Sequence, residues 1–148
     1  MIVYGPEVAA FVARNIPGCE RGFGECSAIG FLENGELVAG IVYHNWNPES
    51  GVIEMSAAST TRAWLTKERL AVIFAYPFSF CRMIVTRQSE NNRRALRIWR
   101  SLGGLEYRIP DLRGPGDAEV FFTLTADQWR SGKFKGIADG QAVSAETA

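Results

Sequence analysis

The chain has 148 residues, 47% apolar and 22% charged, which fits one globular domain and excludes a disordered or fibrous protein. Sixteen Lys and Arg balance sixteen Asp and Glu, so no global field draws the chain onto nucleic acid or an anionic membrane. No apolar run approaches the ~20 residues of a spanning helix, and no basic-then-apolar leader opens the chain, so a cytoplasmic location away from membranes is expected. The three cysteines (Cys19, Cys26, Cys81) have no metal-ligand spacing, and their odd number argues against a disulfide framework; with one histidine, His44, no metal is expected.

Taken in chain order, Pro6 to Asn15 predicts a helix, with proline in its first turn and Val8, Phe11 and Val12 at helical spacing; Ile16-Pro17-Gly18 ends it. A polar loop with one aromatic, Phe23, follows. Ser27–Glu33 and Glu36–Trp46 are β-rich runs around Asn34-Gly35, the pair that a type I′ hairpin turn requires. A turn over Asn47 to Gly51 leads to a third strand, Val52–Ala57. Ser59-Thr60-Thr61 offers hydroxyl caps for a helix whose apolar face runs through Trp64, Leu65, Leu70, Ile73 and Phe74 up to Pro77. Arg82–Thr86 is a short strand. Glu90–Leu102 is the clearest helix, with Ala95, Ile98, Trp99 and Leu102 on one face and Gly103-Gly104 as its stop. Leu105–Ile109 and Glu119–Leu124 form two last strands around a Pro/Gly loop, and Thr125–Trp129 reads as a closing helical turn. Residues 1–132 then form the domain, while 133–148, poor in bulky apolar residues, are expected to be a flexible tail. Hairpins followed by a strand–helix–strand crossover predict an α+β fold (α/β in looser usage): a mixed, mostly antiparallel twisted sheet with helices on both faces.

At its clearest helix the sequence resembles the GNAT superfamily of N-acetyltransferases. That family commonly carries Asn-x-x-Ala-x-x-x-Tyr-x-x-x-Gly-Phe on its last core helix. Here Asn92, Ala95 and Gly103 match, Trp99 stands for the tyrosine and Gly104 for the phenylalanine. The element order matches the GNAT-like acyl-CoA N-acyltransferase fold from Ser27 to Leu124. The resemblance implies acetyl-CoA or another acyl-CoA as co-substrate and a small-molecule or peptide amine as acceptor. A homodimer is allowed, and nucleic acid is not expected as a partner because the charges balance. Backbone groups of Met55, Ser56 and Ala57 would pair with the pantetheine arm. The family's Arg/Gln-x-x-Gly-x-Gly/Ala phosphate loop falls on Arg62 to Lys67, where Arg62 fits but Leu65 and Lys67 replace glycines. The amides of Thr60, Thr61, Arg62 and Ala63 would still face the pyrophosphate if they open the helix, because a helix N-terminus offers unpaired N–H groups whatever its side chains.

Several residues keep two readings. Glu54 lies mid-strand, with Val52 and Ser56 on its face, and resembles the family's general base; alternatively it is a solvated strand glutamate. His44 is a second candidate base or a packed strand histidine. Asn92 contacts the pantetheine arm, caps its helix, or does both. Trp99 has no acid to offer a departing thiolate and serves equally as core. Gly22-Phe23-Gly24 matches the region that shapes the acceptor pocket, and Glu20 and Glu25 beside it would suit a cationic amine. Six arginines lie between Arg82 and Arg100 against one acid, Glu90; Arg62, Arg93, Arg94 or Arg97 would meet a CoA phosphate, the stripe would meet RNA phosphates, a reading disfavoured because no stacking aromatics interleave with it, or the helix face is simply solvated. Two functions follow. One is acyl transfer to an amine with Glu54 as base. The other is a catalytically inactive module of the same fold for binding or assembly, of the kind a phage or a bacterial operon encodes.

Overall fold

A computed structural model of the chain describes residues 1–134, 136 and 137. Seven strands form one sheet: β1 (Ile2–Tyr4), β2 (Cys26–Glu33), β3 (Glu36–Asn47), β4 (Val52–Ser59), β5 (Met83–Ser89), β6 (Leu105–Ile109) and β7 (Glu119–Thr125). Their order across the sheet is β1-β2-β3-β4-β5-β7-β6, and every neighbouring pair is antiparallel except β4–β5. Helices α1 (Pro6–Asn15), α2 (Lys67–Ala75), α3 (Arg93–Ser101) and α4 (Ala126–Ser131) complete it, with a 3-10 turn at Pro77–Ser79. This is the α+β architecture expected, with one addition. Ile2-Val3-Tyr4 is too short to show a period of its own and becomes an edge strand by pairing with β2, Val3 opposite Gly30.

The hairpin closes as its dipeptide predicts, with Asn34 at φ 52° and Gly35 at φ 79°. Across it, Gly30 pairs with Gly40. A Cβ on Gly40 would stand 2.7 Å from Val12 Cγ2 and 2.9 Å from Val8 Cγ1, so the missing side chain is what lets α1 lie down on the sheet. Val8, Phe11 and Val12 of α1 pack there on Ala28 and Val42. The larger core lies on the opposite face, where α2, α3 and α4 bring Phe74, Trp99 and Trp129 onto Phe31, Tyr43, Ile84 and Phe122. The sheet thus has a core on each side, and β4 lies in both layers.

Strands β4 and β5 run on to Ser59 and Ser89, past the expected Ala57 and Thr86, and three further boundaries differ. Helix α2 starts at Lys67, not near Arg62: Thr66 is its cap, its hydroxyl accepting from the Arg69 amide at 3.2 Å. Trp64 is buried against Phe31 before the helix begins, ring centroids 6.0 Å apart, which holds the preceding segment out of helical geometry. Helix α3 is bounded by Asn92 and Leu102, and buries Leu96 and Trp99. Packing also extends past residue 132, since Phe134 and Ile137 lie on the larger core and Phe134 stacks on Trp129 at 6.1 Å. The rest of the expected tail, Lys135 and 138–148, lies outside the described residues. Among the described residues no helix is long and apolar enough to cross a membrane.

Candidate active site

Among the described residues, the parallel pair β4–β5 is the only place where two neighbouring strands part company early. Pairing covers Val52↔Met83, Ile53↔Ile84 and Glu54↔Val85 and then stops. β4 nevertheless continues to Ser59, still paired to β3, and β5 continues to Ser89, still paired to β7. Each strand follows its outer partner, so the two diverge. A cleft of about 1030 Å³ opens between them, lined among others by His44, Glu54, Ser56, Trp64, Thr86 and Asn92.

Glu54 stands where the divergence begins. Its side chain is 20% exposed, its Oε1 accepts from Asn45 Nδ2 at 3.0 Å, and its Oε2 lies 3.7 Å from His44 Nε2. Asn45 reaches it because the β3–β4 register slips between His44 and Asn47, with Asn45 itself at φ 53°. His44 is buried, with its Nε2 hydrogen-bonded to the Ser56 hydroxyl at 2.9 Å and its ring 4.8 Å from that of Phe23. Burial pushes the imidazole pKa below its ordinary value, against a smaller upward pull from the Glu54 carboxylate. A neutral His44 between Ser56 and Glu54 is therefore the resting state near pH 7, and the carboxylate is the group open to the cleft.

Met55, Ser56 and Ala57 pair with Tyr43, Val42 and Ile41 on one side, while their other backbone edge faces the gap without a ladder partner. That open edge fits an extended polar chain such as a pantetheine arm. The phosphate end is rearranged. Because the helix starts later, Thr60 to Ala63 form the loop ahead of it rather than its first turn. The Thr60 amide is taken by the Val38 carbonyl at 2.9 Å and is not a free donor. The amides of Thr61, Arg62 and Ala63 have no partner among the described residues, and the buried Thr61 hydroxyl has none either. Three donors and a hydroxyl without partners fit an oxyanion, but residues 60–63 are not among those that line the cleft, whereas Trp64 and Leu65 are, Leu65 at one of the resembled family's glycine positions.

Asn92 caps α3, its side-chain oxygen accepting from the Ala95 amide at 3.3 Å, and it also lines the cleft. Trp99 is core, edge-on to Phe74 and stacked on Phe122. The arginine stripe is not one surface. Arg82 donates to the Ser50 carbonyl, Arg94 to the Arg62 carbonyl, and Arg87 and Arg100 pair with Glu119 and Glu106. Only Arg93 and Arg97 of the six lack a partner among the described residues. Glu20 and Glu25, expected to favour a cationic acceptor, do not line the cleft; Glu20 instead accepts from the Gly18 amide at its own turn.

Sequence reading missed the far wall. Arg87 on β5, Arg113 in the β6–β7 loop and Glu119 at the start of β7 form one ion-paired group there. No local signal marks it: Arg87 sits past the end of the predicted strand, and Arg113 lies in a loop read only as Pro/Gly-rich. Among the described residues, no group of three or more His, Cys, Asp or Glu is placed to hold a metal ion.

A mixed seven-stranded sheet whose one parallel pair splays around an open strand edge is the acyl-CoA N-acyltransferase fold of the GNAT superfamily, here carried by a divergent sequence. No family model and no curated protein sequence matches the chain. Solved structures do. Spermidine N-acetyltransferase SpeG from Vibrio cholerae aligns with a TM-score of 0.67 at 10% identity, covering 88% of this chain and 96% of that one. A protein from Desulfovibrio desulfuricans described as a GNAT-family acetyltransferase aligns with a TM-score of 0.62 at 13% identity, covering 84% and 99%. A third, described as an acetyltransferase, aligns with a TM-score of 0.58 at 17% identity, covering 69% of this chain and 63% of that one. The chain thus spans just under two thirds of the length of that third protein. At these identities the likeness is one of fold.

Proposed function

We propose that the chain transfers an acyl group from an acyl-CoA, most simply acetyl-CoA, to an amine acceptor by direct attack. The observation that carries this reading is the early end of β4–β5 pairing at Glu54 and Val85, which leaves the Met55–Ala57 edge open beside a carboxylate. The pantetheine arm would lie along that edge, with its phosphates at the unpartnered amides of Thr61, Arg62 and Ala63. Glu54, held by Asn45, takes a proton from the acceptor ammonium, directly or through water. The freed amine attacks the thioester carbonyl, a C–N bond forms, and the C–S bond breaks. The amine nitrogen gives up its second proton to solvent, and the CoA thiolate takes one from solvent, since Trp99 is buried core and no acid. The net change is amide plus free thiol plus one proton. His44 holds Ser56 and shields the back of Glu54 rather than acting as the base.

A second reading, a non-catalytic binding module of the same fold, is favoured by Trp64 and Leu65 lining the phosphate end of the cleft. Calorimetric titration with acetyl-CoA separates the two. The transfer reading expects saturable binding, and CoA release with an amine panel that falls ~100-fold or more in Glu54→Gln while acetyl-CoA affinity is unchanged. A folded chain that binds no acetyl-CoA at millimolar concentration favours the module. Equal turnover in Glu54→Gln removes that carboxylate from the reaction.

A further inference from the structure

Glu119 is the most deeply buried acid among the described residues, 1% exposed, yet it sits at the wall of an open cleft. Both its oxygens are occupied. Oε1 accepts from Arg87 Nε at 2.7 Å and lies 2.6 Å from Arg87 Nη2; Oε2 accepts from Arg113 Nη1 at 2.5 Å. The two guanidiniums come from different elements, β5 and the β6–β7 loop, and one carboxylate holds both. They remain accessible themselves, with side chains 47% and 31% exposed. Arg87 also lies over the Phe121 ring at 5.2 Å, which fixes its plane.

An arginine has five N–H donors, and Glu119 uses two of Arg87's and one of Arg113's. The remaining donors have no partner among the described residues. The loop that delivers Arg113 is itself pinned: Gly116 N–H donates to Asp111 Oδ1 at 2.8 Å, Arg113 N–H to the Asp117 carbonyl at 3.1 Å, and the Ser89 hydroxyl to Asp117 Oδ1 at 2.5 Å. Arg21, from the α1–β2 loop, lines the cleft as well. On this wall the Arg87 and Arg113 guanidiniums balance the Asp117 and Glu119 carboxylates, and Arg21 and Arg94 add further guanidiniums to the lining of the cleft, against the Glu54 carboxylate. Both carboxylates already accept hydrogen bonds from neighbours. The unused donors of Arg87 and Arg113 are therefore held in place for an anion, and a planar carboxylate matches the guanidinium fork.

Position gives the rest. Val85 is opposite Glu54 in the register, and Arg87 is two residues further along β5, roughly 7 Å. Resting on the acyl-transfer reading above, we infer that the acceptor is an amine that also carries a carboxylate. Its nitrogen lies at Glu54, and its carboxylate docks on Arg87 and Arg113, with Glu119 as the positioning residue behind them.

The test is a length series of ω-amino acids from glycine to 6-aminohexanoate, each paired with its carboxamide. With acetyl-CoA present, the acid at the best chain length is expected to exceed its amide in kcat/KM by at least ~10-fold. Arg113→Gln and Arg87→Gln should erase that preference without changing acetyl-CoA affinity. Should a single change strand Glu119 and unfold the chain, Arg113→Gln/Glu119→Gln removes both charges together and is expected to lose the preference too. Amides used as well as acids, or a preference that survives these changes, overturns the inference and leaves acyl transfer standing. The arm without acetyl-CoA decides the matter even if transfer fails. At least one acid of the series should raise the melting temperature of the wild type, and its amide should not. No rise with any of them at tens of millimolar overturns the carboxylate site.

Discussion

His44 is pulled two ways: burial disfavours its charged form, and the Glu54 carboxylate at 3.7 Å favours it, with burial the larger effect. The folded chain therefore holds this proton less tightly than the unfolded chain, whose histidine titrates near its ordinary value of about 6.5. Between those two pKa values the unfolded state binds more protons, so stability rises with pH there. His44 costs nothing above about pH 6.5, and a penalty grows as pH falls through that value toward the lower folded one. Melting temperatures taken between about pH 8 and pH 5 should fall more in the wild type than in His44→Gln; parallel curves would show that this proton is not linked to folding. At the same scale, Glu54 was legible as a carboxylate on a strand face with Ser56, because strand alternation alone places it there. Its tether to Asn45 was not, since that contact depends on a register slip no local pattern announces.

Among elements, α1 and α2 show two different limits of local reading. α1 is bounded by its own residues, Pro6 at its start and Ile16-Pro17-Gly18 at its end, and the structure agrees. What the helix pattern does not show is why it can sit so close to the sheet. Gly40 supplies that reason, and Gly40→Ala would force a methyl group to within 3 Å of two β-branched valines on a packed helix. Such overpacking is expected to destabilise the chain by about 1–3 kcal/mol, measured as a lower urea midpoint with an unchanged slope; an unchanged midpoint would mean that α1 shifts freely. For α2, the hydroxyls of Ser59, Thr60, Thr61 and Thr66 are all plausible caps by residue type. The choice of Thr66 is made by Trp64, whose indole packs on Phe31 and so keeps residues 60–65 out of the helix. The consequence for function is direct: the donors at Thr61 to Ala63 belong to a loop, and the Thr60 amide is spent on Val38.

At the scale of the whole molecule, the acyl-transfer reading predicts a stability effect as well as a rate. A ligand that binds only the folded state adds about 2.7 kcal/mol at a hundred times its dissociation constant. For a chain of this size that is roughly 5–10 °C in melting temperature. A flat thermal profile with saturating acetyl-CoA would contradict the calorimetric binding that the transfer reading expects. The element order was readable because each segment carries its own period: Asn34-Gly35 for the hairpin, Ala95 to Leu102 for the late helix, and Val120, Phe122 and Leu124 for the last strand. These are near-neighbour effects, in which residues two to four apart decide whether a segment bends, coils or extends. The splay of β4 from β5, the late start of α2 and the meeting of Arg87, Arg113 and Glu119 at one wall are not of that kind. They bring together groups up to 42 residues apart in the chain, through strand pairing and packing against partners that no short window contains. Sequence alone therefore determined the class of fold and proposed a carboxylate for it; the cleft, and the ion-paired arginines on its wall, exist only once the sheet has closed.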